Sequence, residues 1–308
     1  MVKLTFRQLE ILEAVARCGS FSAASEELHL TQPAVSMQIK QLESMLDVPL
    51  FEQIGKRIYL TQAGRETLRT SQTIHAELTN LEQTLASLKG LAGGTLTVAA
   101  ASTASYFTAR IVAKFREIYP DVHVCLNVVN RETLLKQLDE NSIDMAFMGQ
   151  PPEGHDLLAK PFMDNPLVVI AAPNHPLAKQ KKIPLERLLK ESYVGRELGS
   201  GTRMAVEKFF EEHGLTLKAD MEMNKNEAIK QAVLAGLGLG VVSLHTVQAE
   251  LTANALCNLD VQDFPIRRQW FLVQRSGKRL SPAADVFAKF VLSEAERITS
   301  ENYSVESV

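Results

Sequence analysis

The first ninety residues alternate apolar and polar positions with helical rather than strand spacing. Phe6, Leu9, Leu12, Val15 and Ala16 mark one face of an amphipathic helix. Ser20 or Ser22 can cap a second, shorter helix that presents Ala23, Ala24 and Leu28. Thr31 then offers an N-cap hydroxyl, and Pro33 falls in the first turn, where its missing N–H has no intrahelical partner. Val35, Ile39 and Leu42 follow at i, i+4 and i+7 as the buried stripe of a third helix, and Gln32, Ser36, Met37 and Lys40 fall on its other faces. Two short helices joined by a tight turn, the second with polar N-terminal residues, predict a helix-turn-helix. The plainer reading is an αα-hairpin of some other helical domain. Two short apolar runs around Gly55-Lys-Arg57 then predict a small β-ribbon, or wing, with Lys56 and Arg57 placed to meet phosphates or a minor groove; a solvated charged hairpin is the alternative.

From Gln62 to Gly90 the chain contains no proline. Ile74, Leu78, Leu81, Leu85 and Leu88 recur at spacings of 4, 3, 4 and 3, an average period of 3.5. So narrow an apolar stripe needs a partner helix, and a second copy of the chain is the simplest one. The segment therefore reads as a dimerising linker helix ended by Gly90, Gly93 and Gly94.

After Thr95 the period changes. Apolar strands are predicted at 96–101, 122–129, 143–148, 167–172, 193–195, 221, 239–243 and 270–274, with helices at 106–119, 132–138, 185–189, 202–213, 226–235 and 282–298. This alternation predicts an α/β architecture of open, largely parallel sheets covered on both faces. Residues 299–308 read as a flexible polar tail.

Bulk composition narrows the class. Of 308 residues, 45% are hydrophobic and 22% charged, with a net charge of −3, as in ordinary globular proteins. No apolar run is long enough to span a membrane. The start of the chain is an acid-bearing amphipathic helix and not a signal peptide. Cys18, Cys125 and Cys257 are isolated, so reduced thiols and a cytoplasmic location are expected. Charge alone does not advertise nucleic-acid binding. Residues 1–63 hold six basic and seven acidic side chains, so their few cations must gather on one face and act in a multimer.

In open α/β sheets, ligands sit beyond the carboxyl ends of the strands. There the chain reads Ser102-Thr-Ala-Ser105 before one helix and Gly195-Arg-Glu-Leu-Gly-Ser-Gly-Thr-Arg203 before another. Free N–H groups at helix starts, hydroxyls and an arginine make an anion site; as capped helix starts the same loops need no ligand. No metal spacing, nucleophile elbow or acid–base constellation accompanies them, so no catalytic residue, metal or cofactor is expected. The competing interpretation is an enzyme or binding protein acting on a small anion, with the N-terminal region as a dimerisation arm.

The whole chain resembles the LysR-type transcriptional regulators. The resemblance rests on Phe6-Arg-Gln-Leu9, Gly19-Ser-Phe-Ser-Ala-Ala24, Thr31-Gln-Pro-Ala-Val-Ser36, Gln41-Leu-Glu43, Pro49-Leu-Phe51 and Leu60-Thr-Gln-Ala-Gly64. It implies a winged helix-turn-helix (1–63), a linker helix (64–92) and two Rossmann-like subdomains as in periplasmic binding proteins (93–163 plus 268–298, and 164–267). It also implies a small-molecule effector in the cleft and a homotetramer, a dimer of dimers, that bends promoter DNA, with RNA polymerase as a further partner and no membrane. On that basis Thr31, Gln32, Pro33, Ser36, Lys40, Lys56 and Arg57 are the DNA-binding candidates. Ser102, Thr103, Met148, Gln150, Glu197, Ser200, Thr202 and Arg203 are the effector-binding candidates. Within the family the chain is similar to regulators of Calvin-cycle (carbon dioxide fixation) operons, on Asn130-Arg-Glu132, Ala146-Phe-Met-Gly-Gln-Pro-Pro-Glu-Gly154 and Arg196-Glu-Leu-Gly-Ser-Gly-Thr-Arg203, among others. That branch implies a phosphorylated metabolite or NADPH as effector, and an activator. Many family members carry arginine at the positions of Met37 and Gln53. Met37 cannot make a bidentate guanine contact, so base readout is expected to lean on Gln32, Pro33, Ser36 and DNA shape.

Overall fold

The computed structural model describes residues 4–54, 57–88 and 93–300. The chain divides into two compact units, residues 1–81 and 82–308.

In the first unit, α1 (Phe6–Cys18) starts at a capping box in which Thr5 and Gln8 satisfy each other's free groups, and it ends at Gly19 with φ 62°. α2 (Phe21–Glu27) is capped by Ser20, whose Oγ accepts from the Ala23 amide. α3 (Gln32–Leu46) turns Val35, Ile39 and Leu42 into a core with Ile11, Leu12, Val15, Ala24 and Leu50. Thr31 holds the N-cap position, but its hydroxyl makes no capping bond, contrary to the expectation from sequence. Pro33 removes one of the two amides such a hydroxyl would reach. β1 (Phe51–Ile54) and β2 (Arg57–Leu60) form the antiparallel ribbon. Its start is pinned by the Glu43 carboxylate, which accepts from the Leu50 and Phe51 amides at 2.8 and 3.2 Å.

The helix α4 (Gln62–Leu88) follows. Its first turns are tied to α1 by Glu13, which accepts from the Ser71 hydroxyl and meets His75 Nδ1 at 2.9 Å. Of the heptad residues, Ile74 and Leu78 are half-buried, and Leu81 and Leu85 are exposed. The side chains of Leu88 and Arg57 lie outside those described, as does the whole of Lys56, and so does the predicted tail from residue 301.

The second unit contains two five-stranded sheets. The first has the order β4-β3-β5-β12-β6, from β3 (Gly94–Ala101), β4 (Val122–Val129), β5 (Met145–Met148), β6 (Leu157–Asp164) and β12 (Gln269–Arg275). The second has the order β11-β7-β10-β8-β9, from β7 (Leu167–Ala171), β8 (Tyr193–Arg196), β9 (Met221–Met223), β10 (Leu239–Ser243) and β11 (Cys257–Asn258). α5 (Ser105–Ile118) and α11 (Pro282–Ser300) cover one face of the first sheet through Phe107, Ile111, Phe115, Phe287 and Val291. α6 (Arg131–Asp139) covers the other through Leu134 and Leu138. α7 (Leu185–Leu188), α8 (Gly201–Glu212) and α9 (Asn226–Leu234) do the same for the second sheet.

The sheets are mixed, not largely parallel. In each, two strand pairings are parallel and two antiparallel. The chain crosses from the first sheet to the second after β6 and returns before β12, and the strands flanking these crossings run against their neighbours. β6 was not expected from the sequence because Lys160 and Pro161 interrupt its pattern. It is an edge strand, where a missing ladder N–H is tolerated. β11, a 3₁₀ turn at Leu244–Thr246 and α10 (Gln248–Thr252) are too short to leave a periodic trace.

Candidate functional site

A cavity of about 290 Å³ lies where the carboxyl ends of β3, β5 and β8 meet the starts of α5, α6 and α8. Ser102, Thr103, Met148, Glu197, Ser200 and Thr202 all line it. Ser200 and Thr202 are buried, and Ser200 makes no side-chain capping bond to α8. The starts of α5 and α8 carry no side-chain cap and keep free N–H groups and positive dipole ends at this volume, whereas α6 is capped by Asn130, whose Oδ1 accepts from the Thr133 amide at 2.8 Å.

Two of the predicted residues are elsewhere. Arg203 points to the outer side of α8, where it is held by Glu207 at 2.7 Å and Glu222 at 2.6 Å. At i+1 from Thr202 on a helix, a side chain is rotated about 100° away from its neighbour's face. Gln150 lies beyond the cavity, and its carbonyl accepts from Arg131 Nη1 at 2.9 Å.

The cations that do line the cavity are Arg131, Arg196 and Arg268. Arg196 is already neutralised: its Nε and Nη2 donate to both Glu197 oxygens at 2.7 and 2.8 Å, and its Nη1 donates to Asn226 Oδ1 at 2.7 Å. Arg131 and Arg268 have no carboxylate partner among the described residues; Arg268 Nη1 donates only to the Gly201 carbonyl, at 3.1 Å. Burial, then repulsion from Arg131, pulls the Arg268 guanidinium down to about 10. Burial lowers Arg131 as well.

Two glycines make room for this pair. A Cβ on Gly149 would stand 2.7 Å from Arg268 Nη2, and one on Gly201 would stand 3.3 Å from Arg131 Nη1. Asn165 lines the same cavity at 2% exposure, and its Oδ1 has no hydrogen-bond partner. Buried polar atoms are rarely left unpaired, so a donor-bearing ligand group or water is expected there. Trp270 closes the back wall, with its Nε1 3.5 Å from His245 Nδ1. The arrangement suits a small anion.

Arg131, Arg268 and Asn165 are not among the site residues expected from the sequence. The sequence next to Arg131 resembles that of the branch, but its role depends on Arg268, which lies 137 positions away. No local pattern carries such a pairing.

In the first unit, α3 presents Gln32, Pro33, Met37 and Lys40 to solvent and leaves Ser36 half-buried beside them. These residues line a shallow concavity of about 770 Å³ that is continued by Gln41, Ser44 and Met45. Thr31 is exposed at its N-terminal edge.

Comparison with known proteins places both units. Residues 6–65 match the bacterial regulatory helix-turn-helix protein, lysR family, and residues 89–296 match the LysR substrate binding domain. The chain is 53% identical over 295 residues to the RuBisCO operon transcriptional regulator of Allochromatium vinosum, covering 96% of this chain and 98% of that protein. It is 44% identical over 299 residues to the HTH-type transcriptional activator CmpR of Synechocystis sp., covering 97% and 98%. Among solved structures, the Synechocystis PCC6803 CcmR regulatory domain in complex with 2-PG superposes with a TM-score of 0.62 at 40% identity, over 65% of this chain and 96% of that one. Full-length CbnR complexed with its target DNA gives a TM-score of 0.67 at 22% identity over 94% and 99%, a likeness of fold alone. With a helix-turn-helix at one end and a two-sheet ligand cleft at the other, this chain belongs to the LysR family of DNA-binding transcriptional regulators.

Proposed function

We propose that the protein regulates carbon dioxide fixation genes, as its RuBisCO-operon relatives are named for doing, in response to a small phosphorylated anion bound in the cleft. The observation that carries the effector reading is the Arg131–Arg268 pair: two guanidinium groups without a carboxylate, facing helix N-termini across Gly201. A phosphoryl group would take N–H donors of α5 and α8 and the hydroxyls of Ser102, Thr103, Ser200 and Thr202, with the arginines on its remaining oxygens. The CcmR structure in complex with 2-PG supports this class of ligand. Among the described residues, the carboxylates lining the cleft are Glu132 and Glu197, and no histidine, cysteine or lysine lines it, which favours binding over catalysis.

Gln32, Pro33 and Ser36 would face base edges, Thr31 and Lys40 would hold the DNA backbone, and Lys56 and Arg57 would serve the wing. The Ile74, Leu78, Leu81, Leu85, Leu88 seam would pair two copies, and two such dimers would form the tetramer in the cytoplasm, with RNA polymerase contacted on the DNA. The anion would act by preferring one arrangement of the two subdomains, since a ligand of equal affinity for both shifts nothing.

The test is footprinting of the full chain on its own upstream region with and without 2-phosphoglycolate, ribulose bisphosphate, phosphoenolpyruvate and NADPH. A footprint whose length or bend changes with one of these is expected. A specific footprint indifferent to all four would overturn the effector reading and leave the DNA-binding one standing.

A further inference from the structure

We infer that Met37 is a base-reading residue, and that it selects a thymine by packing against the C5-methyl group in the major groove. The inference rests on the DNA-binding reading of α3 and goes beyond it, since it names the base and the chemical contact.

Met37 is 53% exposed, whereas the apolar residues that build the core from the same helix, Val35, Ile39 and Leu42, are between 0 and 2% exposed. It does not fill the core of its unit. It stands one residue after Ser36 and three before Lys40, in the same concavity as Gln32 and Pro33. Met37 lies about 7.5 Å along the helix from Gln32 at 1.5 Å per residue, or about two base pairs along the groove. Side chains in the first two turns of a recognition helix reach base edges. Met45 is also exposed, but it lies two further turns along and falls outside that reach.

The chemistry then selects the base. A thioether has no donor and is only a weak acceptor. Guanine O6 and N7, adenine N7 and N6, and the cytosine amino group would each lose water against it and receive little in return. The thymine methyl is the one apolar group among the ordinary bases in that groove, and a flexible, polarizable Met side chain can settle onto it. Burying one such methyl is worth about a fourfold change in affinity.

The experiment uses the full chain and a duplex selected by it from random sequence. Each thymine of the half-site is replaced in turn by deoxyuridine, which removes only the methyl. Parent, Met37→Ala, Met37→Leu and Met37→Arg proteins are compared by equilibrium binding, after their melting curves are shown to coincide.

At one thymine per half-site, deoxyuridine should weaken the parent about fourfold and leave Met37→Ala unchanged. Met37→Leu should retain most of the discrimination. Met37→Arg, put through a fresh selection, should return guanine at that position, because its guanidinium can pair with O6 and N7. If every thymine behaves alike in the parent and in Met37→Ala, or if Met37→Arg selects the parent's sequence, Met37 does not read a base. Failure of the parent to select any sequence would overturn sequence reading by α3 altogether, an outcome distinct from the first.

Discussion

Replacing Arg268 by methionine separates the ligand-binding role of the cleft from its contribution to folding. The Arg268 guanidinium, ordinarily near 12.5, is pulled down to about 10 by burial and by Arg131. A depressed basic group disfavours its charged form in the fold. The penalty is therefore full at neutral pH and fades only as pH rises from about 10 towards 12.5. At 1.36 kcal/mol per unit, the charge opposes folding by about 3 kcal/mol.

Methionine keeps the apolar stem and loses the hydrogen bond to the Gly201 carbonyl, which costs about 1 kcal/mol. The net is a gain of about 2 kcal/mol for the empty protein, or roughly 4–8 °C in melting temperature for a unit of this size. Phosphorylated effector at a hundred times its dissociation constant should stabilise the parent by about 2.7 kcal/mol and the variant far less. Thermal melts of the full chain at pH 7.5, with and without 2-phosphoglycolate, read both quantities. A variant that melts below the parent when empty, yet shows the parent's full shift with ligand, would refute this reasoning. Arg268 would then be a structural residue, with the anion held elsewhere.

Three further outcomes follow from the geometry. Gly64→Ala should cost about 2–3 kcal/mol, because its Cβ would collide with the Leu50 carbonyl; affinity for DNA should fall while anion binding is unchanged, as measured by footprinting and calorimetry on one preparation. His245 is pushed down to about 4 by burial, then by Arg110. Its neutral form is favoured in the fold, so stability is full above about 6.5 and falls by about 3 kcal/mol as pH drops towards 4; urea melts of His245→Gln should lack that slope. Lys230, 3% exposed, joins Glu227 at 2.8 Å and Glu250 at 2.6 Å. Lys230→Met should lower stability by about 3 kcal/mol by leaving the half-buried Glu250 without its cation, and a double variant with Glu250→Gln should recover part of it in chemical denaturation.

The outward face of α3 was legible from the sequence because a helix sorts its side chains by spacing alone: once Val35, Ile39 and Leu42 are buried, Gln32, Pro33, Met37 and Lys40 must point elsewhere. The same holds for the hydroxyl-rich turns after β3 and β8, since strand ends and helix starts leave local traces. Arg203 was misplaced because a loop that opens a helix does not reveal which face its last residue takes. Thr31 was misjudged because the proline two residues on alters which amides are available.

The chain by itself thus determined the helix-turn-helix, the ribbon, the heptad helix and the alternation of strands and helices, all of which follow from periodicity within a few turns. Only the tertiary structure decided that the sheets are mixed, that β6 is an edge, and that Arg131, Asn165 and Arg268 share one cavity. The reason is that β12 returns to the first sheet after the whole second sheet has been made. It carries Arg268 back across more than a hundred residues to stand beside Arg131, and electrostatic repulsion depends on distance in space, not along the chain.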